Sequence, residues 1–92
     1  MLEKDPEDLF LSYALALEYR SAGENSAAIS VLESILKKDA DYLAAYYQLG
    51  KLYEENGQHE EAERVYSAGI LIAQKAGNRK TQGELQTALD LL

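Results

Sequence analysis

His59 is the single histidine of the chain. It stands among carboxylates, with Glu54 and Glu55 before it and Glu60, Glu61 and Glu63 after it. An imidazole beside carboxylates is the raw material of general acid–base catalysis or of a metal site. A general base also needs a positioned partner and a pocket. Glutamates crowded after one histidine instead fit a helix N-terminus, where negative charge suits the helix dipole. His59 is therefore expected to be a solvated or capping group. The glutamate cluster lacks the spacing of a calcium loop. Gly23, Gly50, Gly57, Gly69, Gly77 and Gly83 are isolated, so they form no phosphate-cradling loop. With no cysteine there is no thiolate zinc site, redox pair or disulfide. No catalytic residue, metal or cofactor is expected, and an enzyme is the disfavoured class. The lack of cysteine fits a reducing compartment, and a cytoplasmic location is the expectation.

Charge narrows the partners further. The chain carries 9 basic and 16 acidic residues, for a net charge of −7. Nucleic-acid binders gather Lys and Arg on one face, and no such stripe is present. Nucleic acid and anionic membranes are not expected as partners. No apolar run approaches the roughly 18 residues of a membrane helix. The acidic start, without a basic segment and a small-residue cleavage site, is not read as a signal peptide.

The elements that would position any site are helices. The 92 residues are 47% hydrophobic, which suits one domain over 1–92 with one modest core. Alanine and leucine far outnumber isoleucine, valine and threonine, a balance that favours helix over strand. Apolar residues recur at spacings of three and four. The stripes are Leu11, Leu15, Ala16, Tyr19; Ala28, Val31, Leu32, Ile35, Leu36; Tyr46, Leu49, Gly50, Tyr53; Ala62, Val65, Tyr66, Ile70; and Leu85, Ala88, Leu89, Leu92.

Punctuation divides these stripes into five predicted helices at about 6–22, 25–38, 41–56, 59–76 and 80–91. Asp5 and Pro6 open the first as cap and first helical residue. Gly23, Gly57 and Gly77 end the first, third and fourth. Asp39 and Asp41 offer caps for the third. Asn78 or Thr81 starts the fifth, with Thr81-Gln-Gly-Glu84 in capping-box form. Arg79 and Lys80 favour the later start, because cations are unfavourable at a helix N-terminus.

A repeat organises the helices. Shifting the chain by 34 residues pairs identical residues at Lys4/Lys38, Asp5/Asp39, Leu9/Leu43, Tyr13/Tyr47, Leu15/Leu49, Tyr19/Tyr53, Gly23/Gly57, Ala28/Ala62 and Val31/Val65. These are the caps, core positions and turn glycines. A period of 34 built from two helices and a tight turn marks stacked helical hairpins.

The spacing resembles the tetratricopeptide repeat (TPR) family. Residues 43–76 carry the resemblance best, through Tyr46, Leu49-Gly50, Tyr53, Gly57, Ala62 and Tyr66. Residues 9–42 follow in step through Leu15-Ala16, Tyr19, Gly23, Ala28 and Leu32. Ser12 replaces the usual large aromatic, Gly69 stands where alanine is common, and Ala40 where proline is common. The resemblance implies an all-α fold, a short right-handed α-solenoid of two hairpins with a capping helix over about 78–92. That last stripe falls about two residues late for a third repeat. A polar-backed terminal helix is what an exposed solenoid end requires. Ala16, Gly50, Ala28 and Ala62 are expected at close helix contacts, and Leu15, Tyr19, Leu49 and Tyr53 in the seams.

The resemblance also implies a use. TPR domains bind peptides or partner helices in the concave groove lined by the first helix of each hairpin. Carried over, that groove presents Phe10, Tyr13, Ala14, Leu17 and Arg20, then Ala44, Tyr47, Gln48, Lys51, Glu54 and Glu55. Phe10, Tyr13 and Leu17 share a helical face distinct from Leu11, Leu15 and Tyr19. Exposed contiguous apolar residues mark contact sites, and tyrosine suits them with a large apolar body and a polar tip. Arg20 and Lys51 are expected as solvated charges. Chaperone-binding members hold acidic tails with a basic clamp. Its positions here are Tyr13, Leu17, Ala44 and Gln48, none of them basic, so acidic chaperone tails are not expected. An apolar or mixed ligand, such as an amphipathic helix, fits instead. The chain is expected as a monomer or weak homodimer. The alternative is an assembly module pairing copies through the same strip or the terminal helix.

Overall fold

The computed structural model describes residues 8–92. They form five helices and no strand: α1 (Leu9–Ser21), α2 (Asn25–Lys38), α3 (Leu43–Glu55), α4 (His59–Ala76) and α5 (Arg79–Asp90). Helices pack against their chain neighbours, α1 on α2, α2 on α3, α3 on α4 and α4 on α5. The result is a short solenoid. α1 and α3 begin 34 residues apart, as do α2 and α4, while α5 begins 36 residues after α3.

The two hairpin turns share a pair of backbone hydrogen bonds, and the second adds a side-chain bond from Asn56 Nδ2 to Gln58 Oε1 at 3.4 Å. Glu24 N–H donates to Tyr19 O, and Gln58 N–H to Tyr53 O, each at 2.8 Å. Gly23 N–H donates to Arg20 O at 3.0 Å and Gly57 N–H to Glu54 O at 2.9 Å. These paired bonds, six residues closing on one and five on two, satisfy the last carbonyls of a helix, and they need a left-handed residue. Gly23 and Gly57 supply it with φ of 79° and 75°. The next helix starts at once. Ala28 N–H donates back to Glu24 O and Ala62 N–H to Gln58 O, with no side-chain cap.

Several end residues differ from the sequence reading. The proposed opening at Asp5 and Pro6 lies outside the described residues. The cap seen on α1 is Asp8, whose Oδ1 accepts from Leu11 N–H at 3.2 Å. Neither Asp39 nor Asp41 caps α3. Asp39 Oδ1 accepts from Asp41 N–H and makes a local turn, while Tyr42 stands at the cap position with no side-chain bond. α5 is capped by Asn78, whose side chain accepts from Thr81 N–H at 3.0 Å. Thr81 is therefore no cap, and Arg79 and Lys80 do lie in the first turn. The amide cap outweighs the modest dipole penalty for two exposed cations.

Core packing uses the small residues as expected, with an inversion between hairpins. In the second hairpin a Cβ at Gly50 would overlap the Tyr66 ring, and one at Gly69 would sit 2.8 Å from Tyr46 Cβ. Positions 34 residues earlier keep the order of sizes in one pair and reverse it in the other. Ala16 and Leu32 stand for Gly50 and Tyr66, and Ser12 and Ile35 stand for Tyr46 and Gly69. Each hairpin thus fills its interhelix space with one large and one small partner, as close packing demands. The unusual Ser12 and Gly69 are compensated within their own hairpins.

The seam also departs from expectation at one end. Leu49 and Tyr53 are buried between neighbouring helices, whereas Leu11 and Leu15 are exposed, because among the described residues no element covers that side of α1. Tyr19 is half-buried. At the other end Leu85 and Ala88 of α5 are buried, and Leu85 Cδ1 reaches to within 2.9 Å of a Cβ position at Gly69.

Candidate functional site

The first helices of the hairpins, together with α5, form one wall of the solenoid. A cavity of about 390 Å³ opens on it, lined by Tyr13 of α1, Leu43, Ala44, Tyr47 and Gln48 of α3, and Asn78, Thr81 and Glu84 at the start of α5. Tyr13, Ala44, Tyr47 and Gln48 were candidates from the sequence, and the fold brings them together. Tyr13 packs on Tyr42 with ring centroids 5.6 Å apart, and Tyr47 on Tyr66 at 6.5 Å. Both groove tyrosines stay half-exposed. Their rings are held by neighbours and still face outward.

The remaining candidates fall into two groups. Arg20, Lys51 and Glu54 are engaged in the fold. Arg20 Nη1 donates to Gln48 Oε1, and its Nη2 donates to Glu55 Oε2 at 2.7 Å, so one guanidinium ties α1 to α3. Lys51 Nζ lies 3.7 Å from Glu54 Oε2 and 5.5 Å from the Tyr47 ring centre. The Tyr66 hydroxyl donates to the Glu54 carboxylate. Burial together with that bond holds the Tyr66 phenol above its ordinary range. Arg20 and Lys51 are thus structural partners, not the free solvated charges the sequence suggested. Phe10 and Leu17 make up the second group. Both are exposed on α1 and lie outside the cavity lining.

Sequence reasoning missed the contribution of α5. Advancing Ala44, Tyr47, Gln48 and Lys51 by 36 gives Lys80, Gly83, Glu84 and Thr87. With Tyr47 and Arg79, these line a second cleft continuous with the first. The late stripe of the fifth helix carried that register. Treating the helix only as a cap concealed that it also supplies a groove wall.

His59 is exposed at the start of α4 beside Glu60 and Glu61, on a shallow surface with Gly57 and Gln58. Among the described residues no three His, Cys, Asp or Glu side chains gather as metal ligands. No described helix is long and apolar enough to cross a membrane.

Paired helices of 34-residue period, joined by identical glycine turns and closed by a fifth helix, define a helical-repeat protein. Comparison with known proteins gives the family. The sequence profile described as Tetratricopeptide repeat matches residues 19–79, and the chain belongs to the tetratricopeptide repeat family. It is similar to a TPR repeat-containing protein of Pseudomonas aeruginosa, 26% identical over 89 residues, 97% of this chain and 85% of that one. Among solved structures it resembles the solution NMR structure of a tetratricopeptide repeat domain protein from Salinibacter ruber. The identity is 41% and the TM-score 0.88, over 94% of this chain and 87% of the other. A crystal structure of a tetratricopeptide repeat domain protein from the same organism matches at 39% identity and TM-score 0.84, over 89% and 91% of the two chains.

Proposed function

We propose that the chain is a non-enzymatic interaction module that takes a peptide or partner helix in its concave groove. The family is in general one of protein–protein interaction modules, typically scaffolds without enzymatic activity. The observation that carries the groove reading is the cleft of Tyr13, Ala44, Tyr47 and Gln48, whose two phenol rings are fixed by Tyr42 and Tyr66 and remain open to solvent. Fixed aromatic surface loses little side-chain entropy on binding.

The ligand fits as an apolar or mixed segment. Phe10 and Leu17 extend the apolar side of the groove along α1. Arg20, Lys51 and Glu54 are occupied by internal partners and contribute shape more than free charge. Acidic chaperone tails do not suit a cleft with no basic clamp, and nucleic acid does not suit a chain of net charge −7. A cytoplasmic location belongs to the same proposal and rests on the absence of cysteine.

Ala44 is exposed, so Ala44→Tyr fills the cleft without touching the core. Binding of helical peptides selected on the wild-type chain should weaken at least tenfold in Ala44→Tyr, with an unchanged melting temperature. Equal binding by both chains would remove the groove from the proposal. Exposed Phe10 also favours a second reading, self-association through α1. Sedimentation at two concentrations separates a monomeric adaptor from an assembly module.

A further inference from the structure

One stripe of α1 points away from the groove. Asp8, Leu11, Leu15 and Glu18 are spaced three, four and three residues apart and so share one helical face, roughly opposite Tyr13. All four are exposed; Leu11 and Leu15 are 60% and 44% accessible. Exposed leucines one turn apart with a carboxylate at each end are not the residues of a solvated helix face.

The rest of the solenoid shows what such a face accepts. The first hairpin is followed by α3 packed on α2, and the second by α5 packed on α4. The cover at the C-terminal end is an amphipathic helix that buries Leu85 and Ala88. Its counterpart is missing on the outer side of α1 among the described residues.

Charge selects the occupant. Asp8 Oδ1 accepts only a backbone N–H, and Glu18 makes no ion pair among the described residues. Arg20, the cation of α1, is turned inward to Gln48 and Glu55. A second copy would set α1 against α1. An antiparallel pairing brings Asp8 to Glu18, and a parallel one brings Asp8 to Asp8, so both oppose like charges in a chain already at −7. Head-to-tail stacking would offer the outer side of α5, where Arg79 could meet a carboxylate but Arg79, Gln82, Gly83 and Gln86 present no large apolar side chain to Leu11 and Leu15.

We propose that the Asp8–Leu11–Leu15–Glu18 stripe docks an amphipathic helix of another protein, apolar at its centre and carrying lysine or arginine at both ends. This surface is separate from the groove and does not depend on it. The test uses the full isotope-labelled chain and two synthetic helical peptides. Both carry central leucines four residues apart; one is flanked by lysines and its twin by glutamates. The lysine peptide should shift the amides of Leu11, Leu15 and Glu18. The glutamate twin should bind at least tenfold more weakly. Leu15→Ser should lose at least tenfold in affinity for the lysine peptide with no change in melting temperature. Absent binding, equal binding of the twins, or shifts confined to Tyr13, Ala44 and Tyr47 would overturn the proposal, and the last result would leave the groove reading intact. A concentration-dependent dimer abolished by Leu15→Ser would assign the stripe to a second copy instead.

Discussion

The two hairpins share a backbone and differ in what they do with it. In the second, Tyr46 and Tyr66 are buried against Gly69 and Gly50, and α5 closes the outer side with Leu85 and Ala88. In the first, the matching positions hold Ser12 and Leu32, with Ile35 and Ala16, and Leu11 and Leu15 remain in solvent. A repeat therefore fixes the turn and the total volume between its helices, while the division of that volume is free to invert. It also shows that burial of a seam position is decided by the neighbour: Leu49 is buried and Leu15 is not, although the two are equivalent in register.

The largest effect expected from this difference comes from removing the closed end. Truncation after Gln74 uncovers the apolar side of α4. Burying a leucine contributes about 1.5–3 kcal/mol, so loss of Leu85, Ala88 and Leu89 together approaches the whole stability of a small domain. The truncated chain should aggregate or fail to melt cooperatively. A soluble fragment with a cooperative melt would show that the ends are equivalent after all.

Single leucines sharpen the same contrast. Leu85→Ala should cost about 2–5 kcal/mol by leaving a cavity beside Gly69. Leu15→Ala, at an exposed site, should stay within about 0.5 kcal/mol. Denaturant melts of the two variants decide it, and equal losses would mean that α1 is covered in solution.

The division of volume between the two helices has its own test. Gly50→Ala raises helix propensity but overlaps the Tyr66 ring, and should destabilise by about 1–3 kcal/mol. Adding Tyr66→Leu reproduces the Ala16 and Leu32 pair of the first hairpin. The double variant should recover stability relative to Gly50→Ala plus Tyr66→Leu taken separately, a coupling that a double-mutant cycle reads directly.

The tyrosines give the second hairpin a pH dependence. Tyr53 is buried and donates to Glu33, which pushes its phenol up from 10 to about 12, and Tyr66 is also raised. Below pH 10 folded and unfolded chains both keep these protons, and the contribution is complete. Above it the unfolded chain releases protons that the folded chain holds. Stability should then fall by roughly 1.4 kcal/mol per pH unit for each tyrosine, through pH 12 for Tyr53. Tyr53→Phe and Tyr66→Phe should each flatten that fall in melts above pH 10.

Most of the fold was legible because it rests on local rules. Gly23, Gly57 and Gly77 mark turns by backbone geometry, and the 34-residue spacing of Tyr19 and Tyr53 or Ala28 and Ala62 marks the hairpins. What failed depends on three-dimensional neighbours. Leu11 and Leu15 have the pattern of a buried stripe, and they are exposed because no element among the described residues covers them. Arg20 and Lys51 read as free charges because Gln48, Glu55 and Glu54 are brought to them by packing. Asp39 and Asp41 are good caps by type, yet the chain spends Asp39 on a turn and Tyr46 fixes the same loop, its hydroxyl donating to Ala40 O at 2.6 Å. Of the groove, the α3 set was readable from the repeat; Asn78, Thr81 and Glu84 required knowing that α5 stands where the first helix of a third hairpin would.

Amide-resolved titration of the labelled chain with a library of helical peptides tests the groove most directly. Perturbations should gather at Tyr13, Ala44, Tyr47, Gln48, Thr81 and Glu84. Perturbations restricted to the opposite surface, at Glu33, Leu36, Lys37, Arg64 and Ala68 between α2 and α4, would contradict it.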